Sequence, residues 1–221
     1  MLDGVNYLAH GIRFFDRPYF LIGSAIPDLL SVVNRRSRVR RRTIEERLPM
    51  LTGDDRELAL GILQHLHDDQ WFHGTPGFYA ATGDLSRHFR DVLGPDDDWN
   101  CGFLGHLVTE LLIDATLSQD YPDSLNRYYA VWQQIDPDDV QRVVGGLATE
   151  PPENLSRFIG IFLQERFLED YHNNGRLLFR LNQVMKRARL RELPDVILPV
   201  LESGRGLIRE RLPDLLPPDL F

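Results

Sequence analysis

The chain has 221 residues, 43% hydrophobic and 26% charged, a balance that excludes a disordered or collagen-like polymer and can bury a core without staples. With 25 Lys and Arg against 33 Asp and Glu, the net charge of −8 argues against a general nucleic-acid binder, which needs cationic surface. The single cysteine, Cys101, excludes a disulfide framework and any thiolate-rich metal or iron–sulfur site.

Taken in chain order, the segments between punctuation marks predict helix. Residues 2–15 carry apolar positions at helical spacing, and 19–33 form an apolar run broken by Pro27. The stretch NRRSRVRRRTIEER, 34–47, reads as a basic connector holding seven of the 25 basic residues. A helix over 55–73 follows Thr52-Gly53-Asp54, with Leu58 and Ile62 on its apolar stripe. Further helices are predicted over 77–92, 100–119, 123–134, 137–147, 152–170, 173–189 and 194–212, with starts at Asp136-Pro137 and Pro151-Pro152. Alternating β-branched runs are missing, so the expected fold is all-α: a single helical domain over 1–221 with about eight to ten helices. The opening MLDGVNYLAH has no basic segment ahead of an apolar one, and the apolar window 101–117 is interrupted by three polar side chains. The expected compartment is therefore the cytoplasm, with no membrane span.

Those three side chains are the informative ones. His106, Glu110 and Asp114 recur at steps of four inside a nearly apolar helix, which sets them on one stripe. His65, Asp69 and His73 repeat the pattern and continue the Leu58–Ile62 stripe. Buried carboxylates must protonate, pair with a base or hold a cation, and neither 58–75 nor 99–119 contains Lys or Arg. Mixed imidazole and carboxylate donors suit Mn, Fe, Zn or a similar divalent ion. His10 and Asp28 are further candidates. Taken singly, His10 reads as a hydrogen-bonded core residue and Asp28 as a cap after Pro27. The joint pattern turns all eight into candidate metal ligands: His10, Asp28, His65, Asp69, His73, His106, Glu110 and Asp114. His67 and Asp68 lie off the stripe and rank below them, as surface or supporting residues.

Four blocks, NYLAH at 6–10, GSAIPDLLS at 23–31, GILQHLHDDQWFHGTP at 61–76 and GFLGHLVTELLIDATL at 102–117, occur in the order seen in the acyl carrier protein phosphodiesterase family. The chain resembles that family, a divergent branch of the His-Asp domain hydrolases, over most of its length. A weaker match runs through 175–217, with Arg180, Arg187 and Arg189. His10, Asp28, His65, Asp69 and Asp114 fall on family positions with the same residue. His73 stands where the family has Asp, Thr75 where it has His, Glu110 replaces Asp, and Ala115 replaces the His after Asp114.

The resemblance implies an HD-like helical fold and metal-dependent hydrolysis of a phosphodiester, releasing phosphopantetheine from a carrier protein or cleaving a related phosphoester. It implies a divalent ion (Mn, Fe, Zn or Mg), with Asp69, Glu110 and Asp114 as candidate catalytic carboxylates. The basic run, Arg35, Arg36, Arg38, Arg40, Arg41 and Arg42, then offers a docking stretch for an acidic carrier protein, against the plainer reading of a solvated connector. Two competing readings share the same residues. One is a zinc-dependent phospholipase C or nuclease-like hydrolase; the other is a non-catalytic helical binding protein with a buried polar network.

Overall fold

Helical spacing governs the chain, and the computed structural model, which describes residues 6–34, 36–94 and 100–216, is all-α. The helices are α1 (Tyr7–Gly11), α2 (Pro18–Val33), α3 (Arg41–Arg47), α4 (Gly53–Phe72), α5 (Pro76–Leu93) and α6 (Cys101–Asp120). They continue with α7 (Ser124–Trp132), α8 (Pro137–Leu147), α9 (Leu155–Glu165), α10 (Asn174–Ala188) and α11 (Leu198–Leu215). Short 3-10 turns lie at Leu48–Met50, Phe167–His172 and Asp195–Ile197. Among the described residues no strand forms; an isolated antiparallel bridge joins Val39 to Ala148.

Two of the segments that differ from the sequence expectation do so for a local reason. Helix α3 forms inside the basic run, where the apolar signal is one buried residue, Ile44. The pairs Arg41–Glu45 and Arg42–Glu46 at i, i+4 support it instead. The run is also pinned, because the Arg38 amide donates to the Thr149 hydroxyl oxygen and the Thr149 hydroxyl donates to the Arg36 carbonyl. Arg35 lies outside the described residues. The expected helix over 152–170 begins only at Leu155 and stops where Arg166 adopts a left-handed conformation (φ 45°), before the turn Phe167–His172.

The chain divides into two compact units. The first holds Tyr7–Trp71 and Pro122–Arg166. Its centre is the contact of α2 with α4, which is close because glycines face each other across it. A Cβ on Gly23 would stand 2.1 Å from the Leu58 carbonyl oxygen, and one on Gly61 2.0 Å from that of Phe20. Only Gly admits such an approach of two helix backbones. Around it are buried Phe20, Leu21, Ile22, Ile26, Leu58 and Ile62. A cluster of Tyr7, Tyr128, Tyr129, Trp132 and Phe162 fixes α1 against α7 and α9, with ring centroids 5.2–6.4 Å apart.

The second unit holds Phe72–Tyr121 and the described part of the segment from Phe167 onward. Helices α5, α6 and α11 form its core. Gly105 of α6 lies on Ser86 and Thr82 of α5, and Gly204 of α11 lies on Leu112 and Leu85. Thr75 caps α5 by accepting from the Phe78 amide (3.2 Å), and Asn100 caps α6 by accepting from that of Phe103 (3.2 Å). Helix α6 is long and apolar enough to cross a membrane, and 83% of its apolar window is buried inside the fold, as in a core helix.

Candidate functional site

The close α2–α4 contact sets the first group of donors. One turn beyond Gly61, His65 is buried at 1% exposure, and its Nδ1 lies 2.7 Å from the Ser24 carbonyl oxygen. A carbonyl only accepts, so Nδ1 carries the hydrogen and Nε2 keeps its lone pair. This is the arrangement that orients histidine as a metal ligand. The free Nε2 faces Asp28 Oδ1 at 3.8 Å and Asp69 Oδ2 at 3.4 Å. Asp28 sits in the interior of α2, not at a helix start, and is 2% exposed.

His10 completes the group from the end of α1. Its ring lies against that of His65 with centroids 4.1 Å apart. Its Nε2 lies 3.4 Å from Asp69 Oδ1, yet is buried with no hydrogen-bond partner; its Nδ1 is 3.7 Å from Asp68 Oδ2. One carboxylate, Asp69, thus turns one oxygen to each imidazole.

The electrostatics follow from burial and these contacts. Burial pushes the His10 pKa down, but Asp68 and Asp69 outweigh it and raise the value well above the ordinary range for histidine. Burial, followed by the charge of His10, pushes His65 down and keeps it neutral. Burial would raise Asp69, and the two imidazoles hold it well below the usual carboxylate range. Asp68 is also lowered against burial, by His10, by Gln64 donating at 2.8 Å and by Arg13 at 3.6 Å.

The second group belongs to the second unit. Helix α4 stops at Phe72, because the turn through Gly74 and the Thr75-Pro76 start of α5 end its ladder. His73 therefore leaves the α4 stripe, and the expectation that His65, Asp69 and His73 form one line is corrected. His73 Nε2 instead lies 2.8 Å from Glu110 Oε1, and His106 Nε2 lies 3.1 Å from the same oxygen. Glu110 is 2% exposed, whereas the two imidazoles are about 30% exposed. Burial would raise the Glu110 pKa, and His106 and then His73 lower it.

Six of the eight candidate ligands thus fall into two sets, His10–Asp28–His65 and His73–His106–Glu110. Within each, the donor atoms lie within 4.8 Å of one another. Asp69 touches both histidines of the first set. Asp114, one turn beyond Glu110 on α6, is buried at 2% and belongs to neither set.

Both sets fit a divalent ion. A four-coordinate zinc-like ion holds its donor atoms about 3.3 Å apart, and the close pairs here span 2.8–3.8 Å. Each set also holds a buried polar atom with no hydrogen-bond partner, His10 Nε2 in one and Glu110 Oε2 in the other.

The remaining singled-out residues resolve simply. His67 is exposed, Cys101 is buried as a small core residue, and Phe78 is buried against both His73 and His106. Trp71 and Tyr79 are exposed, while Phe72 is buried. His172 joins Ser118 at 3.2 Å. Sequence reasoning missed the Ser24 carbonyl, while Asp68, read there as a surface or supporting residue, stands beside His10. The available signal was a glycine four or five residues before each ligand, Gly61 before His65 and Gly23 before Asp28. No protein-family model matches the chain, and neither a curated protein nor a solved structure does.

Proposed function

We propose that the chain is a metal-dependent phosphodiester hydrolase with a divergent HD-like fold, centred on His10, Asp28, His65 and Asp69. The observation that supports it most is the locked His65. Its Nδ1–H is held by Ser24, and its Nε2 is aimed at carboxylates from two different helices. The two imidazoles favour Mn, Fe or Zn over Mg as the ion these residues hold. Such an ion supplies Lewis acidity toward a phosphoryl oxygen and makes water a better nucleophile near neutral pH.

The chain's own groups divide the remaining work. His65 and Asp28, nearly inaccessible, hold and orient. Asp69 is 28% exposed, more than either, and can accept the proton of a water attacking phosphorus as the P–O ester bond breaks. Asp68, with Gln64 and Arg13, fixes the far edge of His10. The resemblance to acyl carrier protein phosphodiesterases makes a phosphopantetheine–serine diester on an acidic carrier protein the leading substrate. The exposed arginines of 36–42 support such a partner, and the reading suits a cytoplasmic protein.

The test is elemental analysis joined to two chromogenic substrates. Purified protein should contain a transition metal and cleave a bis-aryl phosphodiester faster than the aryl monoester. Asp69→Ala should lower diester turnover by at least about a hundredfold, in the range of losing a general base. A metal-free protein inert with added Mn²⁺, Fe²⁺ or Zn²⁺ would establish the non-catalytic polar network instead.

A further inference from the structure

The hydrolytic reading leaves the second cluster unused, although it offers the same kinds of donor as the first, two imidazoles and a carboxylate. We propose that His73, His106 and Glu110 form a separate binding site for a borderline divalent metal of the zinc and cobalt class, filled independently of the His10–Asp28–His65 centre.

The donors are two imidazole nitrogens and one carboxylate, a set that selects zinc-like ions over Mg²⁺ or Ca²⁺. His106 and Glu110 stand at i and i+4 on α6, the spacing by which one helix presents two ligands to one point. The third donor, His73, comes from the turn before α5, held there by the Thr75 cap. Phe78 braces both imidazoles, with its ring 4.8 Å from that of His73 and 4.9 Å from that of His106. Close contact of α6 with α5 at Gly105 fixes the height at which the helices present these groups.

A hydrogen-bonded trio is the plain alternative, and the structure argues against it as the complete account. Both Nε2 atoms converge on a single oxygen, Glu110 Oε1, while Oε2 is buried with no hydrogen-bond partner. Among the described residues the ion-pair partners of Glu110 are these two histidines, and neither Lys nor Arg reaches it. A buried carboxylate in that setting is better satisfied by a cation than by two imidazole nitrogens crowded on one of its oxygens. The histidines are about 30% exposed, which gives an ion and one small exogenous ligand a way in. All three donors lie in the second unit and those of the first centre in the other, so each set is complete by itself.

The experiment uses the full chain stripped by chelator and re-dialysed against Zn²⁺, with bound metal counted by elemental analysis. A parallel Co²⁺ titration is followed by visible absorption. The double variant His73→Ala/His106→Ala, at partly exposed positions, should lose one equivalent of Zn²⁺ and the matching cobalt bands. Glu110→Gln, which keeps the size of the side chain, should weaken that equivalent by at least about a hundredfold, beyond the loss typical of supporting residues. In a His10→Ala/Asp69→Ala background the equivalent should persist, which separates this site from the hydrolytic centre. If His73→Ala/His106→Ala binds as much Zn²⁺ and Co²⁺ as the parent, with the same bands, the proposal is overturned whatever the fate of the first centre.

Discussion

A histidine's partners decide its charge, and His65, His10 and His172 show two opposite outcomes in one chain. His65 gives its hydrogen to the Ser24 carbonyl and is kept neutral by burial and by His10. His10, flanked by Asp68 and Asp69, is pushed the other way. His172, outside both clusters, is lowered by partial burial and then by the charge of Arg205, and it meets the Ser118 hydroxyl. The sign of its effect on stability follows. A histidine whose folded pKa lies below the unfolded value of about 6.5 stabilises the fold fully above that pH. The contribution is lost as pH falls through the depressed folded value. Denaturant unfolding of the parent between pH 7.5 and 5.5 should therefore show a loss that His172→Gln lacks. The difference will be small because the ring is partly solvated. Equal pH slopes for the two proteins would remove His172 from the balance. At this scale the sequence was informative about residue type, since His10, Asp28 and Glu110 are all buried as expected. It was silent about the backbone carbonyl that selects the tautomer of His65, because a carbonyl has no residue identity to read.

Between elements, the two glycine contacts matter more than any polar group. Ser24 and Asp28 ride on α2, while His65 and Asp69 ride on α4, so their spacing is set where Gly23 and Gly61 meet the opposite backbone. Gly61→Ala places a methyl 2.0 Å from the Phe20 carbonyl oxygen, and backbone cannot rotate away as a side chain can. That substitution should cost about 1–3 kcal/mol, the range for overpacking, and should loosen metal at the first centre. Gly83→Ala on α5 is the control: nothing lies within 4 Å of its new Cβ, and removing a helical glycine should add up to about 1 kcal/mol. Unfolding midpoints for both variants, with metal content, check the pair; equal stability for the two would deny the close contact. Periodicity made these helices legible to within a few residues at most boundaries. It failed where side-chain pattern was not the cause. Helix α3 stands on ion pairs rather than an apolar stripe, and the α4 stripe was cut at Phe72 by the capped start of α5. Thr75 serves as that cap.

Across the whole molecule, charge bears on the proposed carrier-linked substrate. A chain of net charge −8 would repel an acidic carrier protein unless positive charge were gathered at the approach. The basic run is only partly available for that purpose. Arg41 and Arg42 face Glu45 and Glu46 on α3, whereas Arg36 and Arg40 are exposed and form no ion pair among the described residues. Their segment is tied down by the Val39–Ala148 bridge and by Thr149, so these charges are presented from fixed backbone and not from a loose tether. If the proposed substrate is correct, Arg36→Ser/Arg40→Ser should raise KM for an acidic carrier-linked diester and leave kcat unchanged, because neither residue belongs to the metal-binding groups. The same KM should rise with ionic strength in the parent and less steeply in the variant, since exposed charges are screened beyond about 8 Å at 0.15 M salt. A small uncharged aryl diester has no acidic surface to recognise, so its KM should be indifferent to both changes. Parallel rises in KM for the aryl and the carrier-linked substrates would instead place the arginines at the phosphoester itself. No rise for either would leave the run as the solvated connector that its like charges first suggest.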